Sequence, residues 1–462
     1  MVSAQDSSDI TLAVYNAGAA LIRDQRTLSL DEGINTVELR DVAATIDPTS
    51  INFRSLSDPA GIAVLEQSYI PNQLSAGSLL SRYLSETVSI TADNGTTYSG
   101  ELLRISNDKA IVRTESSQVA FISLYDIGAV QLPSLPDDLR ADARLRIKLD
   151  AASAGQHDAE LTYLAGGINW TADYSLFLAA DETSLDLSGL VTLQNRSGSG
   201  YRDANLKLVA GEVSRIEQEE SAEPRMMALS AAADYESESI EAQDFSDYKL
   251  YHIPRPVSLE DGETKQLEFV AGRGIAADVS YVFDSSPSST GYYSPITHWH
   301  GRESERGDVR TYLSFETGDE QSLGADLPAG RARVYKADVD GARLLIGESQ
   351  VQHTAKGEAV ALQIGTAFDL TGERTQTDFT FVSRLVAQEK FEIRLRNRKE
   401  HNAVEITVPE RLYRWRDWQI IESSLPFTRV DQSSIVFALT VEPGAEAVLS
   451  YTVQYSFPEE DV

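Results

Sequence analysis

The chain is predicted to be all-β and multidomain, built from immunoglobulin-like β-sandwiches plus a small SH3-like or Sm-like barrel. Three observations carry that prediction. Apolar and polar residues alternate at period two through much of the chain, the pattern of strands with one buried face. Gly, Pro, Asn and Asp interrupt the alternating runs at short intervals. At 462 residues, the chain exceeds what one hydrophobic core covers and calls for two to four domains.

The first segment, residues 8–72, reads as a small β-sandwich. Ile10-Thr11-Leu12-Ala13-Val14-Tyr15 alternates, Asn16-Ala17-Gly18 turns the chain, and Ala20-Leu21-Ile22 with Thr27-Leu28-Ser29-Leu30 returns it. Glu32-Gly33 stands where a hairpin needs a positive φ, and Thr36-Val37-Glu38-Leu39 follows as a strand. Residues 78–133 read as the small SH3-like barrel. Short strands such as Val88-Ser89-Ile90-Thr91 and Ala110-Ile111-Val112-Arg113, with the hairpin signal Asp93-Asn94-Gly95, make that closure natural.

Pro133 and Pro136 mark the joint to a core sandwich over residues 139–386. Within it, residues 212–247 are rich in Glu, Asp, Ser and Ala and nearly lack an apolar period. Such a segment cannot bury enough surface to offset its ordering entropy, so it is expected to be a flexible acidic loop. Residues 387–458 read as a C-terminal immunoglobulin-like sandwich. Phe391, Ile393 and Leu395 alternate with Glu392, Arg394 and Arg396; Val404, Ile406 and Val408, then Ile435, Phe437, Leu439 and Val441, then Leu449, Tyr451, Val453 and Tyr455 repeat the pattern.

The 71 acidic residues against 40 basic ones give a formal net charge of -31. A surface this acidic repels phosphate backbones and anionic lipid, so neither nucleic acid nor a bilayer surface is an expected partner. The absence of cysteine excludes disulfides, thiolate metal sites, a cysteine nucleophile and a lipoprotein anchor. Val2-Ser3-Ala4 has the small-residue pattern that precedes signal-peptidase cleavage. The expectation is an exported protein, periplasmic, on the cell surface or extracellular. No apolar run approaches the roughly 20 residues of a spanning helix.

Among candidate chemistries, His298-Trp299-His300 is the most compact constellation. On a strand His298 and His300 share a side, and Glu303 or Glu305 could complete a metal site for a metal-dependent hydrolase. The competing reading is an exposed aromatic loop, with Tyr292, Tyr293 and Trp299 gripping a protein or a glycan. Trp415 and Trp418 are either core aromatics or, framed by Arg414 and Arg416, part of a binding patch. Arg196-Ser197-Gly198-Ser199-Gly200 misses the nucleophile elbow of serine hydrolases and reads as a hairpin tip. Asp338-Val339-Asp340-Gly341 lacks the later ligands of a calcium loop and reads as a hairpin turn.

Between Leu161 and Glu212 stand Gly167, Trp170, Tyr174, Asn195, Tyr201, Asp203, Leu206, Leu208 and Gly211. With Leu327-Pro328-Ala329-Gly330 and Ala332-Arg333-Val334-Tyr335 further on, they resemble the signature of a bacterial envelope family. That family is named for its mucoidy-inhibitor-A-like members, and its core is domain of unknown function 4139. The resemblance implies an N-terminal companion domain around Val42 to Ile51 and structural roles for Trp170, Tyr174, Asn195, Asp203 and Gly211. Many members carry a long coiled coil between the two domains; no heptad run stands there in this chain.

The function expected is therefore non-enzymatic: an exported envelope scaffold or interaction protein that binds a protein partner or surface polysaccharide. No cofactor is required by the sequence. Besides the hydrolase using His298 and His300, a second alternative is a calcium-stabilised surface-layer or filament component. In it, calcium would bridge acidic faces between copies of a homo-oligomer.

Overall fold

The computed structural model describes residues 2–3, 9–71, 79–106, 108–114, 116–133, 143–211, 242–245, 248–286, 295–297, 304–318 and 323–459. The architecture is all-β, and among the described residues the strands form four sheets of four, five, eight and thirteen strands. The chain divides into two compact units. Unit 1 comprises Met1–Trp170 and Thr192–Gln266, and unit 2 comprises Thr171–Val191 and Leu267–Val462.

After the short strand Val2–Ser3, unit 1 forms the hairpin read from the sequence. Asp9–Tyr15 and Ala19–Leu30 pair antiparallel around Gly18, whose φ of 80° suits the turn. The next partners come from far along the chain. Gly155–Gly166 lies antiparallel to Ala19–Leu30 along its whole length and also pairs with Asn52–Ser55. Arg144–Ala151 sits between Gly33–Leu39 and Ile62–Ile70, antiparallel to both. Strands on either side of residues 78–133 thus complete the same two sheets. The physical reason is burial: a strand such as Arg144–Ala151, with Leu145, Ile147 and Leu149 buried, needs a partner on each edge as well as a core beneath it.

The five-stranded sheet is antiparallel, in the order Val119–Ser123, Lys109–Thr114, Thr97–Ser106, Thr87–Ala92, Ile127–Gln131. It has its own core of Leu80, Tyr83, Val88, Ile90, Leu102, Ala110, Val112 and Ile122. The Asn94-Gly95 turn closes its first hairpin as the sequence requires, with Gly95 at φ 81°. Val119–Ser123 and Ile127–Gln131 are the two ends of the order, and no closed barrel is found among the described residues.

In unit 2 the period-two runs of the last 70 or so residues become Val386–Asn397, Val404–Arg411, Ser434–Val441 and Glu446–Ser456. Their apolar members share one cluster: Phe391, Ile393, Leu395, Ile406, Val408, Ile435, Phe437, Leu449, Tyr451 and Val453 are all buried in it. The long strand Ala359–Ser383 pairs with Ser304–Glu316 on one edge and Val386–Asn397 on the other, with register shifts that let it bend. At the other end of the same sheet, Gly330–Ala337 runs parallel to Ile168–Leu178 and antiparallel to Arg343–Val351. The Asp338–Gly341 segment joins the latter pair as a hairpin turn, with Asp338 N donating to Ala342 O at 2.8 Å.

Candidate functional site

Of the signature residues, Trp170, Tyr174 and Asn195 turn inward, whereas Asp203 is exposed. Trp170 is buried in unit 1, donates from Nε1 to Val209 O at 3.3 Å and meets the Tyr251 ring edge-on at 6.4 Å. Tyr174, in unit 2, donates to Pro328 O at 2.6 Å and packs edge-on to Phe269. Asn195 is fully buried at the centre of a turn. Its Nδ2 donates to Ser199 O (2.8 Å) and Glu260 O (3.1 Å), and its Oδ1 accepts from Ser197 N and Ser197 Oγ. The 196–200 stretch is therefore not the tip of a hairpin: Ser184–Asn195 and Tyr201–Ala210 leave it in different sheets. Asp203, at φ 47°, exchanges hydrogen bonds with Ser258. Gly211 sits at φ 128°, where a Cβ would lie 2.8 Å from the Tyr248 ring, so no side chain fits.

Of the residues read as a metal or aromatic loop, Tyr292, Tyr293, His298, Trp299, His300 and Glu303 lie outside the described residues. Glu305 is on Ser304–Glu316, opposite Arg374 in the strand register. Among the described residues no group of three or more His, Asp or Glu is placed to hold a metal ion. Trp415 is in the core of unit 2, 7% exposed, with Arg416 over its ring at 4.8 Å. Trp418 is half-buried against that core, donates to Gln432 O at 2.8 Å and is covered by Arg429. Arg414 and Arg416 do not frame a common patch, because Arg414 is fully buried and Arg416 is exposed.

Arg414 belongs to an ionic core. Its Nη2 lies 2.7 Å from Glu389 Oε1, which also accepts from Gln376 Nε2 (2.7 Å) and the Tyr413 hydroxyl (3.2 Å). Arg414 also donates from Nη1 to Ile296 O at 3.1 Å. Beside it, Arg374 donates from Nε and Nη2 to Glu410, stacks on Phe391 at 3.8 Å, and shares Glu410 with the Tyr451 hydroxyl. Burial alone would make Arg374 easier to deprotonate, but the charge and hydrogen bonds of Glu410 outweigh it and hold the guanidinium charged. Burial, then the Glu389 charge, pushes Tyr413 up to about 12. Burial first, then the neighbouring carboxylates, puts Tyr451 and Tyr455 well above the usual tyrosine range. Most of these groups are paired within the cluster, an arrangement that fixes packing, although Glu389 Oε2 and the Tyr455 hydroxyl have no hydrogen-bond partner among the described residues.

The open counterpart lies on the outward face of the same unit. Phe177 and Tyr335 are register partners on the parallel strands Ile168–Leu178 and Gly330–Ala337. Alternation buries Leu176, Leu178 and Val334 and turns the two rings outward, where they stack at 5.4 Å and 24°. Arg343, the first residue of the next strand, places its guanidinium 4.3 Å from the Phe177 ring centre. These three side chains, with Ser184 and Asp186 of the neighbouring strand, line a shallow cleft of about 250 Å³. Asp186 Oδ1 accepts from Gly274 N at 2.9 Å, which fixes the carboxylate. Along the same face Arg331 pairs with Asp173 and Arg333 with Asp173 and Glu348. Arg343 has no such carboxylate partner among the described residues.

No sequence motif marks Phe177, Ser184, Asp186 or Arg343 as a site, and Tyr335 stands out only within Ala332-Arg333-Val334-Tyr335. A usable signal was present: Phe177 and Tyr335 fall on the polar phase of alternating strands, where an aromatic has no core to enter. What places them side by side is a parallel pairing between distant segments, which no local pattern encodes.

The profile of the family described as Domain of unknown function (DUF4139) matches residues 159–459, well over half of the chain, and this span contains both the ionic core and the cleft. No curated protein matches the chain.

Proposed function

The chain belongs to the DUF4139 family, and we propose that within it this protein is a non-catalytic binding protein of a bacterial cell envelope, holding a surface polysaccharide in the outward cleft of unit 2. The observation that carries the reading is the Phe177–Tyr335 stack with Arg343 over it, an aromatic step on a solvent-facing sheet. Stacked rings give a sugar its apolar face, and a fixed guanidinium and carboxylate answer its hydroxyls. The resemblance to mucoidy-inhibitor-A-like proteins supports both the polysaccharide and the envelope location. In this reading the alternating C-terminal strands are immunoglobulin-like sandwich strands and the five-stranded sheet is SH3-like, both modules that present faces to partners.

The test is co-sedimentation of the purified chain with exopolysaccharide from envelope preparations, for the wild type, Tyr335→Ala and Phe177→Ala. Binding by the wild type that falls about tenfold or more in both variants, with unchanged circular dichroism, supports the assignment. Wild-type affinity in both variants overturns it.

A further inference from the structure

We infer that the cleft selects a neutral saccharide over an acidic one, reading one sugar ring with Asp186 and Arg343 as an acceptor–donor pair. The inference rests on the binding role proposed above and specifies its ligand.

Arg343 is held, not loose: its guanidinium lies on Phe177, and Phe177 is braced by Tyr335. Pre-orientation of this kind lowers the ordering cost of each new hydrogen bond. Asp186 is likewise fixed by Gly274 N through one oxygen, and no ion pair joins it to Arg343 among the described residues. The cleft therefore offers five N–H donors on one group and a carboxylate acceptor on the other. Neighbouring sugar hydroxyls both donate and accept, so a neutral ring can satisfy both groups at once.

An acidic sugar meets a different balance. Its carboxylate gains from Arg343 but sits in the same cleft as Asp186, and like charges at close range are costly. The net charge of -31 adds a repulsive field, although at physiological salt exposed charges beyond about 8 Å are largely screened. Asp186 is therefore the main discriminator. The cleft's size agrees with this ligand class: about 250 Å³ is below the ~300–1,000 Å³ of pockets that enclose a ligand. It suits a ring laid on a platform within a longer chain.

The test is calorimetric titration of the full chain with cellotetraose, maltotetraose and tetragalacturonate, between about 50 and 500 mM salt. The expected result is binding of a neutral tetrasaccharide with little salt dependence, weakened about tenfold by Tyr335→Ala and at least threefold by Asp186→Asn. Asp186→Asn should at the same time improve tetragalacturonate binding. If the wild type prefers tetragalacturonate, and Tyr335→Ala abolishes that binding, the neutral selectivity is overturned while the cleft stands as the site. If no saccharide binds, or Tyr335→Ala leaves binding unchanged, the cleft reading falls with it.

Discussion

In the ionic core of unit 2, Arg374 lies on the Phe391 ring at 3.8 Å and closes its guanidinium against Glu410. In the cleft of the same unit, Arg343 lies on the Phe177 ring at 4.3 Å, and the carboxylate facing the same space is held elsewhere. The two places use the same side-chain chemistries: arginine, aromatic ring and carboxylate. They differ in whether the charges meet. Where they meet under full burial, the pairing offsets the desolvation of both charges and fixes the packing around them. Where they stay apart at the surface, each keeps hydrogen-bonding capacity for something that arrives from solution.

The contrast can be broken most forcefully at the buried pair. Arg374→Met leaves Glu410 enclosed without its guanidinium partner, and should lower unfolding stability by about 3–5 kcal/mol in urea denaturation. Adding Glu410→Leu should recover most of that loss, because a buried pair replaced by apolar residues is often neutral. A double variant no more stable than the single one would show that the pair itself stabilises the core.

An intermediate case lies in unit 1. Glu160 is buried, yet its partners Arg23 and Arg54 are largely exposed. Burial pushes its carboxyl up, but hydrogen bonds from Arg23 and Gln25 and the charges of Arg23 and Arg54 outweigh it, leaving the pKa below the ordinary value. A depressed folded pKa means the contribution is present above the unfolded pKa and lost as pH falls through the folded one. Glu160→Gln should cost about 1 kcal/mol at neutral pH, discounted for the exposed arginines. It should also flatten the acid limb of the stability curve. An unaltered acid limb would assign that limb to other carboxylates.

Tyrosine gives the smaller, pH-gated version. Tyr451 and Tyr455 both have raised folded pKa values, chiefly from burial. Their neutral forms stabilise the fold fully below the unfolded value of about 10, and that contribution is lost as pH rises above it. The Tyr455 hydroxyl has no hydrogen-bond partner among the described residues, so Tyr455→Phe should change neutral-pH stability by less than about 1 kcal/mol. Denaturation repeated above pH 10 should show a shallower alkaline loss than the wild type. The smallest effect belongs to the cleft: Arg343→Ala should stay within about 0.5 kcal/mol at any of these pH values. A larger loss would make Arg343 structural and remove its claim to a ligand.

The sequence was legible wherever the physics is local. Period two in Phe391, Ile393 and Leu395 identifies the buried face of Val386–Asn397, and the same rule holds for Val404, Ile406 and Val408. Asn94-Gly95 marks its turn because Gly95 takes a φ of 81° there at no steric cost. It was less legible where alternation stops. Leu412, Tyr413, Arg414 and Trp415 are four consecutive buried residues in an irregular segment, so nothing in their order says that Arg414 turns inward while Arg416 turns out.

By itself, then, the chain's composition and periodicity determined an all-β protein of high negative charge, with its core strands and several of its turns. These follow from the preferences of each residue and its near neighbours. Tertiary structure decided which strands lie together: Arg144–Ala151 between Gly33–Leu39 and Ile62–Ile70, and Gly330–Ala337 beside Ile168–Leu178. Backbone hydrogen bonds are alike at every residue, so the choice of partner is made by the burial of whole faces, not by any local motif. The cleft exists because of one such choice, which set Phe177 against Tyr335 and put Arg343 and Asp186 in the lining of one cleft.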